Sequence, residues 1–184
     1  MDALERGLKQ VTSFLQRERI PYMFIGGIAN LIWGEPRLTQ DLDVTILCQE
    51  AKIPELITKL MNDFSILPTD PLAFIQQTGV LPMVAREGVR IDLIFARLPY
   101  EEQAISRAKI VKLGQQQLKV CTAEDLIIHK IISERSRDLD DVQQIIIRQR
   151  DNLDRNYLDP LVHNLSQLLE RPGIWAFYLK CLSR

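Results

Sequence analysis

Tyr22-Met23-Phe24-Ile25-Gly26-Gly27-Ile28-Ala29-Asn30-Leu31-Ile32-Trp33, with Asp41-Leu42-Asp43-Val44-Thr45-Ile46-Leu47 close behind it, is the stretch that decides the fold. Tyr22 to Ile25 is a short unbroken apolar run, which predicts a buried strand. The glycine pair breaks that run, and the apolar segment 28–33 predicts a helix opening directly after it, stopped by Gly34, Glu35 and Pro36. Over 41–47 the side chains alternate. Leu42, Val44 and Ile46 point one way, and Asp41, Asp43 and Thr45 the other, as in a strand with one face in a core. Strand, glycine turn, helix and half-acidic strand together predict an α/β (α+β) fold, a small mixed β-sheet flanked by helices.

Working outward, Leu4, Leu8, Val11 and Leu15 recur at helical spacing ahead of Pro21, predicting an amphipathic first helix. A helix is expected over 52–62, a loop-rich region over 63–88 (with Pro68, Pro71 and Pro82), and a third strand over 89–95. A helix at 100–108 and a hairpin over 109–121 around Gly114 follow. Thr122, with Asp125 three places on, reads as an N-cap for a helix over 123–134. Further helices are expected over 139–149, over 160–170 behind Asp159-Pro160, and after Pro172-Gly173. At about 150 residues per domain, the 184-residue chain accommodates an α/β core, 1–121, and a helical part, 122–184, packed on it as a single unit.

Composition excludes several kinds of chemistry. The net charge of −1 leaves no chain-wide basic field to hold a long nucleic acid through its phosphates. The two histidines, His129 and His163, are too few and too far apart for a zinc-hydrolase pattern, and they weaken a Ser-His-Asp reading. Cys48, Cys121 and Cys181 are odd in number, widely spaced and in apolar surroundings, so free buried thiols are expected rather than disulfides. Residues 1–6 lack a basic-then-apolar leader, and no apolar run reaches the roughly 20 residues needed to cross a bilayer. A soluble cytoplasmic protein with carboxylate chemistry is the expectation.

Three features carry that chemistry. Glycines at 26 and 27, opening a helix, let backbone amides approach an anion such as a phosphate; the plain alternative is a tight turn. Asp41 and Asp43 share one strand face, an arrangement that repulsion makes costly unless a cation or water relieves it. Asp92 lies in a strand too apolar to be an edge, with Arg90 and Ile94 on its own face. It either pairs with an arginine or completes a three-carboxylate site with Asp41 and Asp43. Oxygen-only ligation of that kind suits Mg²⁺, which keeps waters and takes its remaining ligands from substrate phosphates.

The run Phe24-Ile25-Gly26-Gly27, thirteen residues, then Asp41-Leu42-Asp43-Val44, resembles the signature of the DNA polymerase beta-type nucleotidyltransferase superfamily, with Asp92 matching the third acidic position. The longer form, Gly26-Gly27-Ile28-Ala29, Gly34, Arg37, Thr39 and Asp41-Leu42-Asp43, is similar to the abortive-infection (AbiEii-like) branch. A second match to that branch runs through Ala123-Glu124-Asp125-Leu126, Lys130 and Arg135-Ser136-Arg137-Asp138-Leu139-Asp140-Asp141-Val142.

The resemblance implies the nucleotidyltransferase fold. It also implies transfer of a nucleoside monophosphate from an NTP to a hydroxyl, with pyrophosphate leaving, assisted by two Mg²⁺ ions. Asp41 and Asp43 would hold metal, and Asp92 would share the second ion and activate the acceptor. Gly26 and Gly27 would contact the β- and γ-phosphates, and Lys130 and Arg135 would bring positive charge to the triphosphate. Arg37 and Thr39 would belong to the nucleotide-binding set and fix the loop that delivers Asp41; for Arg37, direct phosphate contact and a structural ion pair are equally open. Asp138 and Asp141 read as caps or as ion-pair partners of Arg135 or Arg137. The acceptor stays open among RNA, a protein side chain and a small molecule, and so do the preferred NTP and the oligomeric state. Two alternatives stand beside this: a toxin–antitoxin or phage-defence component acting with an antitoxin-like protein partner, and a nucleotide-binding relative without transfer activity.

Overall fold

The structure, a computed structural model, describes residues 3–133 and 135–183. By internal contacts these fall into two units, one of residues 1–28 and 38–121, the other of residues 29–37 and 122–184. The segment 29–37 thus groups with the helical part rather than with the sheet that flanks it in sequence.

The first unit is built on seven strands: β1 (Tyr22–Phe24), β2 (Asp41–Ile46), β3 (Ser65–Ile66), β4 (Val80–Val84), β5 (Arg90–Phe95), β6 (Lys109–Leu113) and β7 (Gln116–Val120). Their order in the sheet is β3-β4-β5-β2-β1-β7-β6. β2 and β5 run parallel, as do β1 and β7, and the other neighbours are antiparallel. The mixed sheet of the sequence reading is therefore present, and so is the hairpin around Gly114. Along β5 and the first half of β2 the alternation holds: Leu42, Val44, Ile91, Leu93 and Phe95 are buried, whereas Asp43 and Asp92 are half-buried; past it Thr45, on the acidic face of β2, is buried as Ile46 is. Helix α1 (Ala3–Arg17) buries Leu8, Val11, Phe14 and Leu15, and Phe14 meets Phe64 edge to face at 5.5 Å.

Helices α3 (Ile53–Asp63), α4 (Pro71–Thr78) and α5 (Pro99–Arg107) complete this unit. The loop-rich expectation for 63–88 is corrected here, since that region holds β3, α4 and β4. Asp70 caps α4 by accepting from the Ala73 amide at 3.0 Å, Pro71 takes the first helical position, and Gly79 closes the helix at φ 75°. Only Ile75 of α4 is buried, so no helical stripe marks it in the sequence. Pro82 is tolerated within β4 because its carbonyl, and hence its missing N–H, is on the side of the two-residue β3, where it accepts from the Leu67 amide at 3.1 Å.

Helix α2 (Gly26–Trp33) starts in the first unit and ends in the second. The second unit otherwise consists of α6 (Ala123–Ile131), α7 (Ser136–Gln149), α8 (Arg155–Leu168) and α9 (Pro172–Leu182). Thr122 caps α6 by accepting from the Asp125 amide at 3.2 Å, as its spacing predicted; the expected last residue of that helix, position 134, lies outside the described residues. The start expected at Asp159-Pro160 is corrected. Asp154 caps α8 one turn earlier, and Pro160 sits inside the helix. Asp159 instead accepts from Arg155 Nε at 2.6 Å, and from the Tyr178 hydroxyl of α9. Among the described residues no helix is long and apolar enough to cross a membrane.

Candidate active site

The glycine turn is shaped by what lies against it. The Ile25 amide donates to the Asp43 carbonyl at 3.0 Å, which brings the end of β1 alongside β2. Gly26 then adopts φ +55°, and a Cβ there would come within 1.8 Å of Asp43 Oδ2. A Cβ on Gly27 would lie 2.2 Å from Thr39 Oγ1. The Thr39 hydroxyl in turn donates to the Asp41 carbonyl at 3.1 Å. Both glycines are thus required by the close approach of Asp43 and Thr39. They also leave the first amides of α2 without helical partners.

The three aspartates stand on one face of the sheet. β2 and β5 pair with Asp43 beside Asp92 and Asp41 beside Arg90. Neighbouring strands lie about 4.8 Å apart and alternate residues about 6.6 Å apart, so the three backbone positions form a compact corner. Asp92 has a side chain 28% exposed and accepts from Arg90 Nε at 3.2 Å. That is the arginine pair named as one of its two possibilities. With the side chains so placed, no three carboxylate, imidazole or thiol groups gather into a metal-holding cluster among the described residues. The backbone assembles the corner, and Arg90 engages Asp92 within it. A cavity of about 500 Å³ elsewhere in this unit, lined by Cys48, Ile53, Leu72, Ile75, Phe95 and Arg97, includes none of these residues.

The remaining candidates belong to the second unit, where their charges are already engaged. Lys130 is buried on α6, with Nζ 2.9 Å from Asp138 Oδ1 and 2.7 Å from Asp141 Oδ2. Asp141 Oδ2 also accepts from Arg37 Nη2 at 3.0 Å. Asp138 takes Arg135 Nε at 2.6 Å and the Ser133 hydroxyl at 2.7 Å. Burial opposes ionisation of Asp138, but the bonds from Lys130, Ser133 and Arg135 outweigh it and hold its pKa below the ordinary 3.8. The sequence reading anticipated Arg135 as a partner of Asp138. It missed Lys130, because residues eight and eleven positions away meet it only once α6 and α7 fold back on each other.

Residues 2–172 match the sequence profile of a family described as nucleotidyltransferase of unknown function, DUF6036. The chain belongs to this family. Among solved structures, the fold is similar to that of an antigenic nucleotidyltransferase-like protein from Paracoccidioides brasiliensis. The TM-score is 0.54 at 21% identity over 96% of this chain and 92% of that one. The lincomycin-bound lincosamide antibiotic adenylyltransferase LnuA gives a TM-score of 0.54 at 14% identity, over 77% of this chain and 95% of that one. The antibiotic-resistance factor ANT(2'')-Ia gives 0.61 at 10% identity, over 94% and 97%. At such identities the likeness is one of fold: the DUF6036 chain has the nucleotidyltransferase fold that the resemblance of its 24–44 signature implied. No curated protein matches it.

Proposed function

We propose that this chain is an Mg²⁺-dependent nucleotidyltransferase that moves a nucleoside monophosphate from an NTP to a hydroxyl, releasing pyrophosphate. The observation that carries the reading is the in-register pairing of Asp43 with Asp92, with Gly26 pressed against the Asp43 carboxylate. A solvated strand edge has no use for such a clustering of charge on a sheet whose other face is buried. The donor set is oxygen-only and suits Mg²⁺, held by Asp41, Asp43 and Asp92. Bound there, the cation would neutralise triphosphate charge and polarise the reacting oxygens. Asp92 would accept the proton of the attacking hydroxyl, and the α2 amides at Gly26 and Gly27 would hold the β- and γ-phosphates. The Arg90–Asp92 pair is no obstacle, because a pair this exposed is worth about 1 kcal/mol or less and gives way to a divalent cation.

The net charge of −1 favours a compact acceptor over a long RNA. The fold shared with an adenylyltransferase of lincosamide antibiotics supports a small hydroxyl compound of that kind. The test is incubation with each labelled NTP, Mg²⁺ and a cell extract. Label is expected to pass to one small-molecule fraction, and the passage is expected to stop in folded Asp43→Asn and Asp92→Asn variants. A folded wild type that binds neither NTP nor Mg²⁺ would overturn the proposal.

The match of 26–43 and 123–142 to the AbiEii-like pattern supports a finer reading, a toxin-like transferase restrained by a small protein partner. Growth arrest on expression, abolished by Asp43→Asn, is its expected sign; harmless overexpression counts against it.

A further inference from the structure

The cavity of about 500 Å³ in the first unit lies past the C-terminal ends of β2 and β5, against the turn that leads into α3 and one side of α4. Its floor is apolar: Ile53, Ile75 and Phe95 are buried and Leu72 is half-buried. Phe95 belongs to the face of β5 that carries Ile91 and Leu93, opposite Asp92, so this space is no part of the acidic corner. Its size is that of a small-molecule site, in which an apolar lining is joined by a few placed polar groups.

Three polar side chains at this cavity have bonding capacity to spare among the described residues: Glu50, Gln76 and Arg97. The Arg97 guanidinium is held in place. Its Nη2 donates to the Ile75 carbonyl and, at 3.0 Å, to that of Gln76, which closes the last turn of α4. It rests on Gly79, where an added Cβ would stand 3.4 Å from Cζ and Nε. Its Nε and Nη1 keep their donors. The Glu50 carboxylate accepts from no side chain, and no ion pair joins it to Arg97. Both are exposed, so a ligand seated on the apolar floor covers two opposite charges at once. A neutral apolar compound would desolvate both unpaired, and a simple anion or cation would leave one of them so.

We infer that this cavity binds a small zwitterion of the amino-acid class with a large apolar side chain. Its carboxylate meets Arg97, its ammonium meets Glu50, and its side chain lies on Ile53, Ile75 and Phe95. The Gln76 amide, both donor and acceptor, serves either end. The site needs neither NTP nor Mg²⁺ and stands apart from the transfer reaction proposed above.

The experiment is a titration of the full chain, without nucleotide, with L-phenylalanine, followed through the backbone amide resonances. Saturable shifts are expected at 48–53, 72–76 and 95–97 and not at 41–43, with a dissociation constant of about 1 mM or below. N-acetyl-L-phenylalanine, which lacks the ammonium, and L-phenylalaninamide, which lacks the carboxylate, are each expected to bind roughly tenfold more weakly, the equivalent of one charge-assisted hydrogen bond. Glycine, without a side chain for the floor, should not saturate. Glu50→Gln, on an exposed turn, should weaken phenylalanine roughly tenfold and leave N-acetyl-phenylalanine no weaker, because one contact is being removed twice. Arg97→Gln should do the same for phenylalanine against its amide. If that variant loses its fold, the two ligands on wild type decide the point. Leu72→Trp, which fills the cavity, should abolish binding. No saturable shift at these residues overturns the inference. So do equal affinities for phenylalanine, its acetyl form and its amide, since the two charges would then not be read, and so does a Leu72→Trp protein that binds as wild type does.

Discussion

Gly26 combines a left-handed backbone with a neighbour that leaves no room for a side chain: φ is +55° and Asp43 Oδ2 occupies the place a Cβ would take. Gly26→Ala is therefore expected to cost about 1–3 kcal/mol in backbone strain and, in addition, to push the Asp43 carboxylate aside. Urea unfolding measures the first effect, and Mn²⁺ binding, as a stand-in for Mg²⁺, measures the second. Lost stability with unaltered metal affinity would mean that Gly26 serves the backbone alone. At this scale the sequence showed that Asp41 and Asp43 share a face, because strand periodicity fixes that locally. It did not show what the glycine was for. Its partner lies seventeen residues on, and the pairing of β1 with β2, continued by the Ile25–Asp43 backbone bond, brings the two together. Strand periodicity likewise puts Arg90 within reach of Asp92, two residues on in the same strand, but only the register places Asp43 beside Asp92.

Elements with a continuous apolar stripe, such as α1, or with strict alternation, such as β2 and β5, were legible from the sequence, since burial itself imposes the period. α4 and β4 were not: one buries a single residue, and the other carries a proline. α8 shows a different kind of conflict. Asp159-Pro160 has the chemistry of a helix start, yet Asp154 begins the helix first and Asp159 is drawn to Arg155 and Tyr178. Pro160 then stands in the helix interior, where its ring and missing N–H cost about 3 kcal/mol, offset by up to about 1 kcal/mol from the stiffer unfolded chain. Pro160→Ala is accordingly expected to stabilise the protein by about 2 kcal/mol, with Asp159 retained. Thermal and urea unfolding check it. A loss of stability would show that the helix bends at Pro160 to reach α9.

For the whole molecule, the net charge of −1 conceals an acidic corner on the sheet and a network in which buried Lys130, Asp138 and Asp141 meet the half-buried Arg37 and the exposed Arg135. The network makes stability depend on acid. The pKa of Asp138 is held below its ordinary 3.8, so its contribution is complete above that value and is lost as pH falls further, through the folded-state pKa. Asp138→Asn is expected to lower stability at neutral pH and to flatten the fall in stability below about pH 4. Urea midpoints followed from neutral pH into acid test this, and parallel curves for the two proteins would remove Asp138 as a source of the acid response. By itself the sequence determined the strand, glycine turn, helix and acidic strand of 22–47, because each follows from periodicity or from a backbone requirement within a few residues. Only the tertiary structure decided which charges meet. Asp43 lies beside Asp92, and Lys130 and Arg37 share one oxygen of Asp141, through strand register and helix packing that join residues dozens of positions apart, and no local rule of the chain encodes such pairings.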